Sequence, residues 1–176
     1  MCNGLTGQWK LDGEKGESMK STFKKYQTEI LGSLLCLLLG LLSGYSANAS
    51  DPLWYVGLNK PNFNPPAWIF GPAWTILYLM MGSALGKLWK EKTNNKLLIA
   101  LFIIQFIFNL GWSPLFFYFH RIDLALADIG ALWLSLLIFM IAARHQRSVF
   151  LLCLPYLLWV SFAAFLNFTI YIMNIS

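Results

Sequence analysis

The chain has 176 residues, of which 57% are apolar and only 12% charged, with a formal net charge of +5 and a mean hydropathy of +0.57. A soluble domain of this length carries about twice that charged fraction, so composition excludes an ordinary soluble globule. Cys2, Cys36 and Cys153 are odd in number and two of them sit in apolar runs, which excludes a disulfide framework and reads as small packing residues.

Residues 1–29 form a polar N-terminal segment, and Met19 offers an alternative start, so residues 1–18 are expected to be an extension outside the fold. The segment has no apolar core, unlike a secretory leader, and Cys2 after Met1 lacks the myristoylation pattern. Five apolar runs follow, near residues 30–48, 67–89, 97–119, 124–143 and 149–173. Each approaches the roughly 20 residues that a helix needs to cross a bilayer. None alternates apolar and polar as a barrel strand would. The expected fold is therefore all-α, an integral membrane bundle of five transmembrane helices in one domain over residues 30–175.

Basic residues flank these runs unevenly. Lys20, Lys24, Lys25, Lys87, Lys90, Lys92, Lys96, Arg144 and Arg147 fall on the N-terminal side, against Lys60 and Arg121 on the other. By the positive-inside rule the N-terminus is expected in the cytoplasm of a bacterial inner membrane, with the C-terminus opposite. Topology explains the surplus charge, so no nucleic-acid partner is expected.

The first run carries Gly32, Cys36, Gly40 and Gly44 at every fourth position. Gly82 and Gly86 in the second run and Ala127, Ala131 and Ser135 in the fourth are similar small-residue stripes that let helices approach closely, and one of them can serve a homodimer. The longest connection, residues 49–66, is the natural place for a lid or an entry. It leads into KPNFNPPAWIFGPAW, starting at Lys60. Residues before proline avoid helical backbone, so this entry is extended and stiff. Pro66 or Ala67 then starts a helix at its first position, where a missing N–H costs nothing. Lys60 and the free N–H groups of the helix start can attract a carboxylate, while Trp54, Phe63, Trp68, Phe70 and Trp74 take a flat apolar body. The same residues would also make a rigid membrane-surface anchor.

Trp74, Trp112, Trp133 and Trp159 lie too deep for the surface belt where tryptophan usually sits. Four on four different helices favour an aromatic-lined internal cavity over packing alone. In QFIFNLGWSPLFF, Gln105, Asn109 and Ser113 share one helix face beside Trp112. Amides at this depth must be paired, either helix to helix or with the polar edge of a ligand. Pro114 frees a carbonyl one turn earlier, near Leu110. In the fourth run Asp123 reads as an N-cap. Asp128 reads as a structural partner of Arg121, a snorkelling carboxylate or a functional site. No Ser/His/Asp set, paired carboxylates, phosphate loop or metal-ligand spacing is present, so no catalytic residue and no metal site is expected.

Three ordered motifs, WYVGLNKPNFNPPAWIFGPAWTILYLMMG, QFIFNLGWSPLFF and LPYLLWVSFAAFLNFTIYIMN, resemble the signatures of the TspO/MBR family, the bacterial tryptophan-rich sensory proteins and mitochondrial translocator proteins. The resemblance covers about residues 28–175. It implies a five-helix bundle, usually dimeric, whose pocket binds porphyrin or heme as a ligand with no obligatory cofactor. Carried over by position, the ligand-binding residues are Trp54, Trp74, Asn109, Trp112, Ala164, Leu166 and Phe168. The pocket rim is Lys60, Pro61, Phe63, Pro65, Pro66 and Trp68. Phe63 stands where the family usually has tryptophan. Phe168 stands where some bacterial members carry a tryptophan linked to light-dependent porphyrin breakdown, so strong degradation is not expected. No basic residue follows Tyr171, so no dedicated sterol site is expected. The implied function is a tetrapyrrole-binding membrane receptor or regulator that assists transport; a light-dependent porphyrin-degrading enzyme and a secondary transporter are the alternatives.

Overall fold

The computed structural model describes the backbone of residues 5–48 and 51–175, and side chains from Lys24 onward apart from residues 48–50 and 52. Among the described residues every regular element is helical. The long helix α1 runs Leu5–Asn48, the short α2 Pro52–Gly57, α3 Phe70–Lys90, α4 Lys96–Ser113, α5 Ile122–Ala142 and α6 Arg147–Asn174. The expected Cys2 lies outside the described residues, as do residues 1–4 of the proposed extension. From Leu5 the helical backbone is continuous with the first span. Five stretches are long and apolar enough to span a membrane: Lys24–Ala47, Ala67–Lys90, Lys96–Tyr118, Ile122–His145 and Arg147–Asn174. Their number is the five expected from the sequence.

The helices form a ring in the order α1, α3, α6, α5, α4 and back to α1. The α1–α3 seam is the closest approach. A Cβ on Gly32 would meet the Gly82 carbonyl, one on Gly82 would meet the backbone of Gly32 and Ser33, and one on Gly86 would meet that of Thr28 and Glu29. These stripes are therefore used within the chain. Cys36 and Cys153 are free, buried thiols that pack in the main hydrophobic core. Glu29 closes the Lys-rich end of the seam with ion pairs to Lys87 at 3.2 Å and Lys90 at 2.6 Å.

Proline and polar caps shape the opposite end. Asp51 caps α2, accepting a hydrogen bond from the Leu53 N–H at 2.9 Å. Pro66 caps a single 3-10 turn, Ala67–Ile69, and α3 proper starts at Phe70, three residues later than expected. At Pro114 the end of α4 passes into a π-helical turn, Pro114–Tyr118, a rare form that occurs mostly as single turns. Its freed carbonyl at Leu110 is taken by the Ser43 hydroxyl of α1 at 2.7 Å. A second α1–α4 link joins Ser46 Oγ and Ser113 Oγ at 3.0 Å. His120 turns the chain into α5 with φ at 55°, in the left-handed region. Asp123 is not the cap of α5. It lies inside the first turn and pairs with Arg121 through two hydrogen bonds of 2.9 and 2.6 Å.

Candidate functional site: an intramembrane aromatic cavity

A cavity of about 650 Å³ lies at the end of the bundle that holds the first loop. Drug-sized ligands occupy pockets of roughly 300–1,000 Å³. The walls come from the last turns of α1 (Gly40 to Ala47), the start of α3 (Ala67 to Tyr78), the end of α4 with its π-turn (Asn109 to Phe117) and one face of α6. Tyr55 of α2 closes the loop side. Among the described residues, no Asp, Glu, His, Cys, Lys or Arg lines it.

Aromatic rings from α1, α2, α3 and α4 with its π-turn stand in the wall. Trp74 stacks on Tyr78 with centroids 5.5 Å apart, and Trp112 stacks on Phe116 at 5.2 Å. Offset stacking of this kind holds each ring in one orientation. Behind the cavity lies a buried polar chain. The Tyr78 hydroxyl donates to Asn109 Oδ1 at 2.8 Å, Asn109 Nδ2 donates to the Tyr156 hydroxyl at 2.9 Å, and that hydroxyl donates to Gln105 Oε1 at 3.0 Å. The chain ties α3, α4 and α6 together. It resolves the two readings of the deep amides in favour of helix-to-helix bonding for Gln105, which does not reach the cavity. Asn109 is bonded helix to helix as well, and it also lines the wall.

Of the seven expected ligand residues, Trp74, Asn109, Trp112 and Leu166 line the cavity. Trp54 does not. It stacks on His120 at 4.3 Å and meets Phe116 edge-on at 5.5 Å, so it supports a lining ring from behind. Ala164 and Phe168 do not line it either, and Phe168 is 50% exposed on the outer face. The reason is helical period. Ala163, Leu166, Asn167 and Ile170 recur at three and four residues and share the inner face. Positions 164, 166 and 168 are spaced by two, a strand's period, and cannot share one helix face. Phe168 therefore says nothing about chemistry in the cavity.

The six rim residues frame the loop without lining the cavity. The Lys60 ammonium donates to the Tyr55 and Leu58 carbonyls and lies 4.5 Å over the Tyr55 ring, so it caps α2 and does not point to a free carboxylate site. Burial raises the Tyr55 phenol above its ordinary value. Phe63 stacks on Phe165 of α6 at 5.4 Å. Pro61 accepts the Asn64 N–H at 2.9 Å, and Pro66 that of Ile69 at 3.0 Å. Pro65 accepts a 3.2 Å bond from the Asn64 amide, and Trp68 is 73% exposed. The loop is also fastened to α6: the Asn59 N–H donates to Asn174 Oδ1 at 3.0 Å, and Asn174 Nδ2 donates back to the Asn59 carbonyl at 2.9 Å.

The remaining deep residues do not line the cavity. Trp133 Nε1 donates to Ser161 at 2.8 Å, an α5–α6 tie outside the cavity. Trp159 meets Trp74 and Phe70 edge-on, behind the wall. Asp128 does not pair with Arg121, which is taken by Asp123. It faces Gly111, where an added Cβ would come within 3.2 Å of its Oδ1, and its Oδ2 is buried without a hydrogen bond. Sequence reasoning missed Tyr78, Phe116, Ala163, Asn167, Ile170 and the whole α1 contribution. The period of α6 was a signal for three of these.

Five spanning helices around one aromatic cavity define a multi-pass integral membrane protein with a ligand-sized internal site. A sequence profile of the TspO/MBR family matches residues 32–173. The chain belongs to that family. It is 43% identical to the tryptophan-rich protein TspO of Chlorobaculum tepidum, over 83% of this chain and 98% of the relative. It is 38% identical to the tryptophan-rich protein TspO of Archaeoglobus fulgidus, over 83% and 97%. It is 34% identical to the translocator protein of Bos taurus, over 77% and 83%.

Proposed function

We propose that this chain is a membrane receptor that binds tetrapyrroles, such as protoporphyrin IX or heme, in the aromatic cavity and assists their transport. The observation that carries the reading is the cavity itself: a flat ligand fits walls made of stacked Trp74–Tyr78 and Trp112–Phe116, and family membership supports the ligand class. Binding is favoured over catalysis because the described residues of the wall offer no carboxylate, imidazole, thiol or amine to move a proton or attack a bond. The N-terminus is assigned to the cytoplasm from the distribution of Lys and Arg. A homodimer belongs to the same proposal, on the strength of family membership.

The test is a titration of protoporphyrin IX into purified protein, followed by tryptophan quenching and the porphyrin absorbance. Saturable binding is expected, weakened at least tenfold in Trp74→Ala combined with the cavity-filling Leu166→Phe. Non-saturable quenching, or affinity unchanged in that variant, would remove the site. Under illumination the bound porphyrin should lose no more absorbance than in the dark; a light-dependent bilin-like product would move the protein among the enzymes.

A further inference from the structure

Deep in the cavity wall, nearly every hydroxyl and amide donor is already spent. Ser43 donates to the Leu110 carbonyl, Thr75 to the Gly71 carbonyl at 2.9 Å, and Ser113 is joined to Ser46. Tyr78 donates to Asn109, and Asn109 to Tyr156. Among the buried amide and hydroxyl groups of the wall, Asn167 is the exception. It is 2% exposed, lines the cavity, and its Nδ2 is buried with no acceptor. Its orientation is fixed by Trp112, whose indole Nε1–H donates to Asn167 Oδ1 at 3.3 Å. An indole nitrogen only donates, so the bonded amide atom must be the oxygen, and the NH2 group is turned away from Trp112. Trp112 is in turn held by its stack on Phe116. A buried donor left unmade is costly, and the cost disappears when an acceptor arrives.

We infer that Asn167 is the residue that reads a polar atom on the cavity ligand, and that this atom is an uncharged hydrogen-bond acceptor of carbonyl type. The inference rests on the tetrapyrrole reading for its choice of probe. Charge decides between acceptors. Among the described residues no cationic side chain lines the cavity, so a carboxylate at this depth would be desolvated without a counter-ion. A ketone, ester or amide oxygen gains the same N–H without that cost. Ligand carboxylates then remain at the mouth, on the Tyr55 side, where water and headgroups reach them.

The experiment compares protoporphyrin IX dimethyl ester, which carries carbonyl acceptors, with etioporphyrin, which carries none, in wild type, Asn167→Leu and Trp112→Phe. Wild type should prefer the ester by about tenfold, as expected for satisfying one buried donor. The ratio should collapse to about one in Asn167→Leu. In Trp112→Phe, where the amide is free to turn, the ratio should fall at least threefold. An unchanged ratio in both variants, or equal affinity for the two porphyrins in wild type, overturns the inference. If Asn167→Leu does not fold, Trp112→Phe alone decides it. Absence of saturable binding by either porphyrin to wild type defeats the tetrapyrrole reading instead, so the two failures are distinct.

Discussion

Along one face α1 lies backbone to backbone against α3; along another it stands off from α4 and α6 and leaves a cavity. Both faces come from the same four-residue stripe of small side chains. At Gly32 a missing side chain lets the two backbones touch, with Gly82 and Gly86 completing the seam. At Gly40 the space is taken by the Tyr78 ring, and at Gly44 by nothing within 4 Å. A glycine stripe thus does not by itself specify contact. The partner's side chains decide whether the vacated volume becomes a seam, a socket for a ring, or a site.

The largest break in that comparison is expected at Gly82→Val. Its added carbons would meet the backbone of Gly32 and Ser33, which cannot swing aside as a side chain would. Overpacking of this kind costs about 3 kcal/mol, so thermal unfolding in mild detergent should show a marked loss of stability. A melting temperature equal to that of wild type would mean that α1 and α3 are not in backbone contact.

A smaller effect is expected on the open face, where hydrogen bonds substitute for packing. Ser43→Ala removes the donor to the Leu110 carbonyl that Pro114 leaves free. Interhelical bonds in membranes are worth about 0.6 kcal/mol, and that is the expected loss. The coupling is the sharper readout. In a Pro114→Ala background the helix N–H at position 114 becomes available to Leu110, so Ser43→Ala should cost less there. Equal costs in both backgrounds would show that the serine and the proline act independently.

That pair also shows where the sequence stops being legible. The five spans follow from hydropathy alone, and a free carbonyl near Leu110 follows from Pro114. Nothing local says that the donor comes from Ser43, 67 positions earlier, because hydroxyl partners across a bundle depend on which helices are neighbours. The same limit explains the site. Trp74, Asn109 and Trp112 were readable as large or polar groups at the wrong depth. Gly44 and Ala163 were not, since a small residue marks a seam and a cavity alike. On α6 the information was present: a period of 3.6 from Leu166 leads to Ala163, Asn167 and Ile170 and away from Phe168. Lys60 misled because its charge was visible and the carbonyls that absorb it, those of α2, were not.

The smallest expected change is the most direct measure of the two faces. Gly32 and Gly44 lie on one helix, twelve residues apart, and the same substitution can be made at both. Glycine inside a helix costs roughly 0.5–1 kcal/mol relative to alanine. At Gly44 the added methyl meets nothing, so Gly44→Ala should raise stability by about 0.5 kcal/mol. At Gly32 the methyl would strike the Gly82 carbonyl, so Gly32→Ala should lower stability despite the same gain in helix propensity. Opposite signs in detergent unfolding would establish that α1 carries a closed face and an open one. Equal losses would mean that the volume beside Gly44 is filled when the protein is in lipid or detergent. Gly44 also lines the cavity. Gly44→Phe should therefore fold and yet compete with the ligand, because its ring would occupy the space a porphyrin needs.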